Sequence, residues 1–316
     1  MPLCRYDTAR DEGKPAACSR VIRHINPAGM LLFFVLWVTM SWKTFKEAST
    51  IRTNFHSHTT RCQHATGADE DYVLAAIAAG YSHLGFSDHS PLPYEDGFVS
   101  GMRMRIDQYQ DYLGSVRELR ERYQDQISIH LGVEAEYYER YQGWLAGQLS
   151  SGTLEYLILG SHYDLPEESF YFGEANTPAL LRRYAEHTVH GMESGLYRCL
   201  AHPELFMISM ERFDENCAAA SRDICRAAKE QGVLLEYNLS GLYYQSWRTG
   251  AGYPTPGFWQ IAAQEGASAI IGLDAHNPAR YADTQIYDQA RKDLAALGIR
   301  VADSLLPCAG DSDLAV

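Results

Sequence analysis

The chain has 316 residues, 46% hydrophobic and 21% charged, a globular composition with room for one large α/β domain or two small ones. Its net charge of −13 argues against broad nucleic-acid binding by a basic surface, although bound cations can still draw a phosphate to an acidic body. Seven cysteines, an odd number with no CxxC spacing, argue against a disulfide framework and for a reducing, cytoplasmic setting.

The first feature in chain order is an apolar run at 30–40, MLLFFVLWVTM, preceded by Arg20 and Arg23. It is shorter than the ~20 residues of a membrane-spanning helix, and no small-x-small cleavage site follows it. Three readings stand: a dispensable extension with translation starting at Met40, a signal or anchor, or an ordered cap. Residues 1–50 are therefore set apart as an N-terminal extension, and a membrane association is not expected.

From residue 51 onward, short apolar or β-branched runs alternate with longer helical stretches. Strands are expected at 53–58, 83–88, 128–136, 156–162, 198–202, 233–239 and 268–274. Helices are expected at 69–80, 107–124, 177–194, 214–231, 254–265 and 283–297. Acidic residues open the first, Asp107 is the expected cap of the second, and Thr177-Pro178 and Thr255-Pro256 read as cap pairs. Seven strands alternating with helices predict a parallel sheet closed into a barrel of βα units over 51–306, with a tail at 307–316.

In such a barrel the chemistry gathers where the strands end. The first expected strand ends in His56 and His58, with His64 in the following loop. The next four end with Asp88 and His89, Glu134 and Glu136, His162, and His202. The sixth ends with Asn238 and Ser240, and the seventh with Asp274 and His276. Residues i and i+2 share a strand face, so His56 and His58 reach one ion together. Imidazoles and carboxylates suit zinc, manganese or iron. His24, His83, His130, His187 and His190 lie away from this end or on a helix face and read as ordinary histidines.

The segments HSHTTRCQHATG, FSDHSPLP, GVEAEY, LGSHY, AHPE and GLDAHNP together resemble the polymerase-and-histidinol-phosphatase (PHP) superfamily, and within it the PHP-type histidinol-phosphatases. The similarity runs from about 53 to 300. It implies a distorted seven-stranded barrel, (β/α)7, holding three divalent ions. By the family pattern His56, His58, Glu134 and Asp274 hold one ion. Glu134 bridges to a second ion held by His162 and His202, and His64, His89 and His276 hold the third. Departures are the AHPELFMI continuation after the fifth strand and the N-terminal 50 residues.

The resemblance implies hydrolysis of a small phosphate monoester, L-histidinol phosphate first, with nucleotide or other small phosphate esters as the alternative and a non-catalytic metal-binding module as a third reading. Asp274, with His276 and Glu134, is placed at the chemistry, Asp274 orienting the attacking water. Arg103 and Arg105 are candidate phosphate clamps, because guanidinium matches phosphate oxygens bidentately. Glu136 is read either as a contact for a cationic substrate group or as a partner of a ligating histidine. Asn238 is a candidate substrate contact, and Cys62 is read as packing within its loop. A homo-oligomer is compatible with all of this.

Overall fold

The computed structural model describes residues 51–244 and 250–306. The apolar run at 30–40, Trp247 and the tail from 307 lie outside the described residues. One sheet carries parallel strands in chain order: β1 (Arg52–Asn54), β2 (Tyr81–Phe86), β3 (Ser128–Ala135), β4 (Tyr156–Leu159), β5 (Cys199–Leu200), β6 (Leu234–Asn238), β7 (Ala269–Gly272) and β8 (Val301–Ala302). The helices are α1 (Asp69–Ala78), α2 (Tyr109–Tyr123), α3 (Glu139–Ser150), α4 (Pro178–Glu193), α5 (Glu215–Gln231), the short α6 (Leu239–Tyr244), α7 (Pro256–Glu265) and α8 (Thr284–Ala296). None of these helices is long and apolar enough to cross a membrane.

The sheet curls. Past the strand ends Ser57 pairs with Ala275, and His58 N donates to Ala275 O at 3.0 Å, so the chain after β1 meets the chain after β7. Phe55 just past β1, Tyr156 and Ile158 of β4, Cys199 of β5 and Ile270 of β7 close on Leu305 in one interior cluster. Helices cover the outside through a second, larger apolar core.

The expectation of seven strands is corrected to eight. The extra strand, β8, is two residues long and pairs with the start of β7 (Ala269↔Val301), too short to leave a periodic signal. The expected strands all form but stop early: 156–162 becomes Tyr156–Leu159, and 268–274 becomes Ala269–Gly272. The reason is that their last residues leave the ladder and turn toward the candidate site. His202 (φ 29°) and Asp274 (φ 46°) do so in left-handed conformations, each costing ~1–3 kcal/mol for a non-glycine residue.

Thr177 and Thr255 cap α4 and α7 as expected, accepting from Leu180 N and Phe258 N. Asp107 does not cap α2; it sits in a 3-10 turn, where its carboxylate accepts from Arg105 Nε at 3.0 Å. Helix α3 goes unexpected because Gly143 and Gly147 interrupt its pattern and no side chain caps its start, although it buries Tyr141 and Leu145.

Candidate metal centre

Glu134 is the hub. It lies at the end of β3, almost fully buried, where its backbone bridges to His89. Its Oε2 lies 3.3 Å from His56 Nε2, 3.6 Å from His58 Nε2 and 3.1 Å from His89 Nδ1. Its Oε1 lies 3.2 Å from His202 Nε2 and 3.6 Å from His162 Nε2. Gly160 makes this approach feasible, since a Cβ there would meet Glu134 Oε1 at 2.6 Å.

Imidazoles surround this hub in facing pairs. His56 and His58, His162 and His202, and His64 and His276 each bring two Nε2 atoms to 3.0 Å. On four of these six rings the opposite nitrogen meets a hydrogen-bond acceptor, whereas His58 Nδ1 lies 3.4 Å from Asp88 Oδ1 and His202 Nδ1 has no hydrogen-bond partner among the described residues. His56 Nδ1 meets Glu236 Oε1 at 2.7 Å, and His162 Nδ1 meets Glu136 Oε1 at 3.1 Å. His64 Nδ1 meets Cys62 O at 2.7 Å, and His276 Nδ1 meets Asp274 O at 3.1 Å. These acceptors call for a proton on Nδ1 of His56, His162, His64 and His276, which leaves their Nε2 lone pairs bare, and in the His64–His276 pair both are turned toward each other. Two bare lone pairs at that distance repel unless a cation sits between them, and outer-partner control of the tautomer is how metal-binding histidines are oriented. The donor set fits divalent cations.

Asp274 completes the floor. Its Oδ1 lies 3.2 Å from His58 Nε2 and 3.3 Å from His276 Nδ1, and its Oδ2 accepts from Asn238 Nδ2 at 3.2 Å. Burial opposes charge throughout, but mutual attraction wins at several groups. Around His56, the carboxylates of Glu236, Asp274 and Glu134 outweigh burial and hold its pKa well above the ordinary value. In turn His162, His56 and His89 hold Glu134 well below the usual carboxylate range against its own burial. At His89 burial prevails, and its pKa falls well below normal.

The cluster opens into a cavity of about 450 Å³. Its walls include Met102, Tyr163, Tyr171, Leu205 and Tyr253, from connecting segments whose pattern says little in the sequence, and Ser240 of α6. Of the expected substrate contacts, none lines it. Arg103 is only 1% exposed and pairs with Glu136 behind His162, while Arg105 is half-exposed and bound to Asp107. Glu136 lies outside the cavity lining, its Oε1 3.1 Å from His162 Nδ1. Asn238 bridges Glu236 and Asp274 instead of facing the cavity. Glu236 went unnoticed in the sequence; the available signal was its place two residues before Asn238, hence on the same strand face. Cys62, read as loop packing, has its sulfur among the donors of His58, His64 and His276.

A PHP domain family model matches residues 54–240. Over 245 residues the chain is 29% identical to a Deinococcus radiodurans protein named "Probable histidinol-phosphatase", covering 72% of this chain and 89% of the relative. It is 24% identical to the histidinol-phosphatase of Bacillus subtilis over 257 residues, 70% of this chain and 92% of the relative. Among solved structures, the histidinol phosphate phosphatase of Lactococcus lactis with zinc, L-histidinol and phosphate matches with a TM-score of 0.62 at 18% identity, covering 79% of this chain and 95% of that one. With more than half of its length matched by that family model, the chain belongs to the PHP domain family.

Proposed function

We propose that the protein is a metal-dependent phosphomonoesterase that converts L-histidinol phosphate to L-histidinol and phosphate, with residues 51–306 as its catalytic unit and the cytoplasm as its place of work. The observation that carries this is the set of three facing imidazole pairs, all converging on Glu134 and Asp274 at the floor of an open cavity. The names of the relatives supply the substrate.

Each pair marks an ion position. His56 and His58 with Glu134 and Asp274 form the first, His162 and His202 with Glu134 the second, and His64 and His276 the third, with His89 beside it. Zinc, manganese or iron suits these donors. When bound, such ions supply an activated water near neutral pH and offset charge on the phosphoryl oxygens and the leaving alkoxide. Glu134 would help to hold both of the first two positions, since its Oε2 faces His56 and His58 and its Oε1 faces His162 and His202. Asn238 fixes one oxygen of Asp274, so the other stays directed at the floor, where it orients the water and accepts its proton. Glu136, neutralised by Arg103, keeps the His162 ring from turning. The aromatic rims of Tyr163, Tyr171 and Tyr253 suit a flat imidazole on the far side of the phosphate.

The test is phosphate release by metal-reconstituted protein on L-histidinol phosphate and on a panel of nucleotide and sugar phosphates. A strong preference for histidinol phosphate is expected, with turnover lost in His58→Ala and Asp274→Ala. Activity on the panel alone would keep the phosphoesterase and discard the substrate. Wild-type turnover in either variant would discard the site.

A further inference from the structure

Cys62 closes a 3-10 turn, Thr60–Cys62, whose cap is Thr59. The next residue, Gln63, is left-handed (φ 73°), and this reversal brings His64 back over the turn so that its Nδ1 meets Cys62 O at 2.7 Å. Sulfur and His64 imidazole therefore aim at the same point. The ligand atoms of Cys62, His64 and His276 all lie within 4.8 Å of one another. Cys62 is 0% exposed and forms no disulfide.

Two further observations bear on it. His89, the third donor that the family resemblance implies beside His64 and His276, has its Nδ1 3.1 Å from Glu134 Oε2 and groups both with Glu134 and His162 and with His58 and His276. The space between His64 and His276 has their two nitrogens and, from Cys62, a sulfur, with His89 alongside His276. On the inner side, the fully buried His58 Nδ1 lies 3.4 Å from Asp88 Oδ1, and His58 groups with both Asp88 and Cys62.

We infer that Cys62 is a thiolate ligand of the ion held by His64 and His276, adding a sulfur to the imidazole nitrogens of that position. This rests on the three-ion reading above. A soft thiolate makes this position select zinc over manganese, while the two positions sharing Glu134 stay tolerant. Ion binding there displaces the thiol proton to solvent.

The full chain is stripped of metal and reloaded with cobalt(II) in steps, and with zinc for X-ray absorption. A thiolate-to-cobalt charge-transfer band is expected to grow with one equivalent out of three, and zinc is expected to show a sulfur neighbour at ~2.3 Å. Cys62→Ser should keep two equivalents, lose the band and hold the remaining ion at least ~10-fold more weakly. Three bound equivalents without a sulfur signature, or a band that survives Cys62→Ser, would overturn the assignment while leaving the three-ion reading intact. Fewer than three equivalents with the Cys62-dependent band would support the ligand and overturn the ion count. Fewer than three without it would overturn both. The zinc–sulfur signature is read on the wild type, so it does not depend on the variant folding.

Discussion

Glu236 shows how a carboxylate outside the facing pairs sets their geometry. Its Oε1 holds His56 Nδ1 at 2.7 Å, while its Oε2 accepts from the His202 backbone at 3.0 Å and from Asn238 at 2.8 Å. Gly272 on the neighbouring strand leaves the room, since a Cβ there would collide with this carboxylate. One side chain thereby orients His56 and anchors the His202 backbone, one histidine from each of the first two proposed ion positions. Glu236→Gln keeps the volume, but an amide cannot accept hydrogen bonds at both ends. Metal affinity is expected to fall roughly 10- to 100-fold, as it does when an outer partner of a ligating histidine is lost. Phosphate release should fall with it at limiting metal and recover when metal is raised, with an unchanged circular dichroism spectrum. A metal titration that superimposes on the wild type would remove this role. The HxH of His56 and His58 is legible in the sequence because adjacent same-face imidazoles are conspicuous; Glu236 is not, because an interior strand glutamate looks like any other until the sheet curls around it.

At the scale of elements, the loop after β5 is tied to the start of α7 by one buried acid. Glu204 accepts from Thr255 N at 2.8 Å, from the Thr255 hydroxyl and from Trp259 Nε1 at 2.8 Å. The tie keeps Tyr253 beside His202, their rings 6.2 Å apart, on the cavity wall. Burial lifts the Glu204 acid to about 8 in spite of these three donors. An unfolded glutamate titrates near ~4.3, so between the two values the native state holds a proton that the unfolded state has lost. The stabilisation from this group is complete below the unfolded value and disappears as pH rises through the folded one. Urea unfolding of wild type and Glu204→Gln should therefore converge with rising pH, the wild type losing on the order of 1–3 kcal/mol relative to the variant between about pH 5 and pH 8. Parallel profiles would mean that the acid ionises normally. The sequence shows both elements that this acid joins, through the LAHPE strand end and the Thr255-Pro256 cap pair, but not their meeting. That meeting depends on residues 250–255, which have no periodicity to read, just as α3 is hidden by its glycines and β8 by its length.

At the scale of the whole molecule, an acidic chain with a net charge of −13 concentrates imidazoles and carboxylates at one end of its curled sheet. Strand order, parallel connection and the end at which chemistry gathers all follow from alternation, and are legible without the fold. The rotations that bring three Nε2 pairs to 3.0 Å are not, because they depend on left-handed backbone at His202 and Asp274 and on partners such as Glu136 and Glu236. The same packing makes ions part of the stability. Without them, His56 and His58 must carry protons to balance their carboxylate neighbours; burial opposes this, but Glu236, Asp274, Asp88 and Glu134 together hold both pKa values well above normal. A histidine raised in this way stabilises the metal-free fold fully below its unfolded pKa, ~6.5, and ceases to as pH climbs through the folded value. Ion binding requires those nitrogens free of protons, so it strengthens over the same rise. Chelation should thus lower the melting temperature, and the gap between loaded and chelated protein should widen as pH increases above ~6.5. An ion at 100 times its Kd adds about 2.7 kcal/mol, or roughly 5–11 °C for a domain of this size. Scanning calorimetry with and without a chelator across that range measures the gap directly. A gap that is absent would deny the ions a structural role, and one that narrows with pH would show that the metal-free cluster does not depend on those two protons.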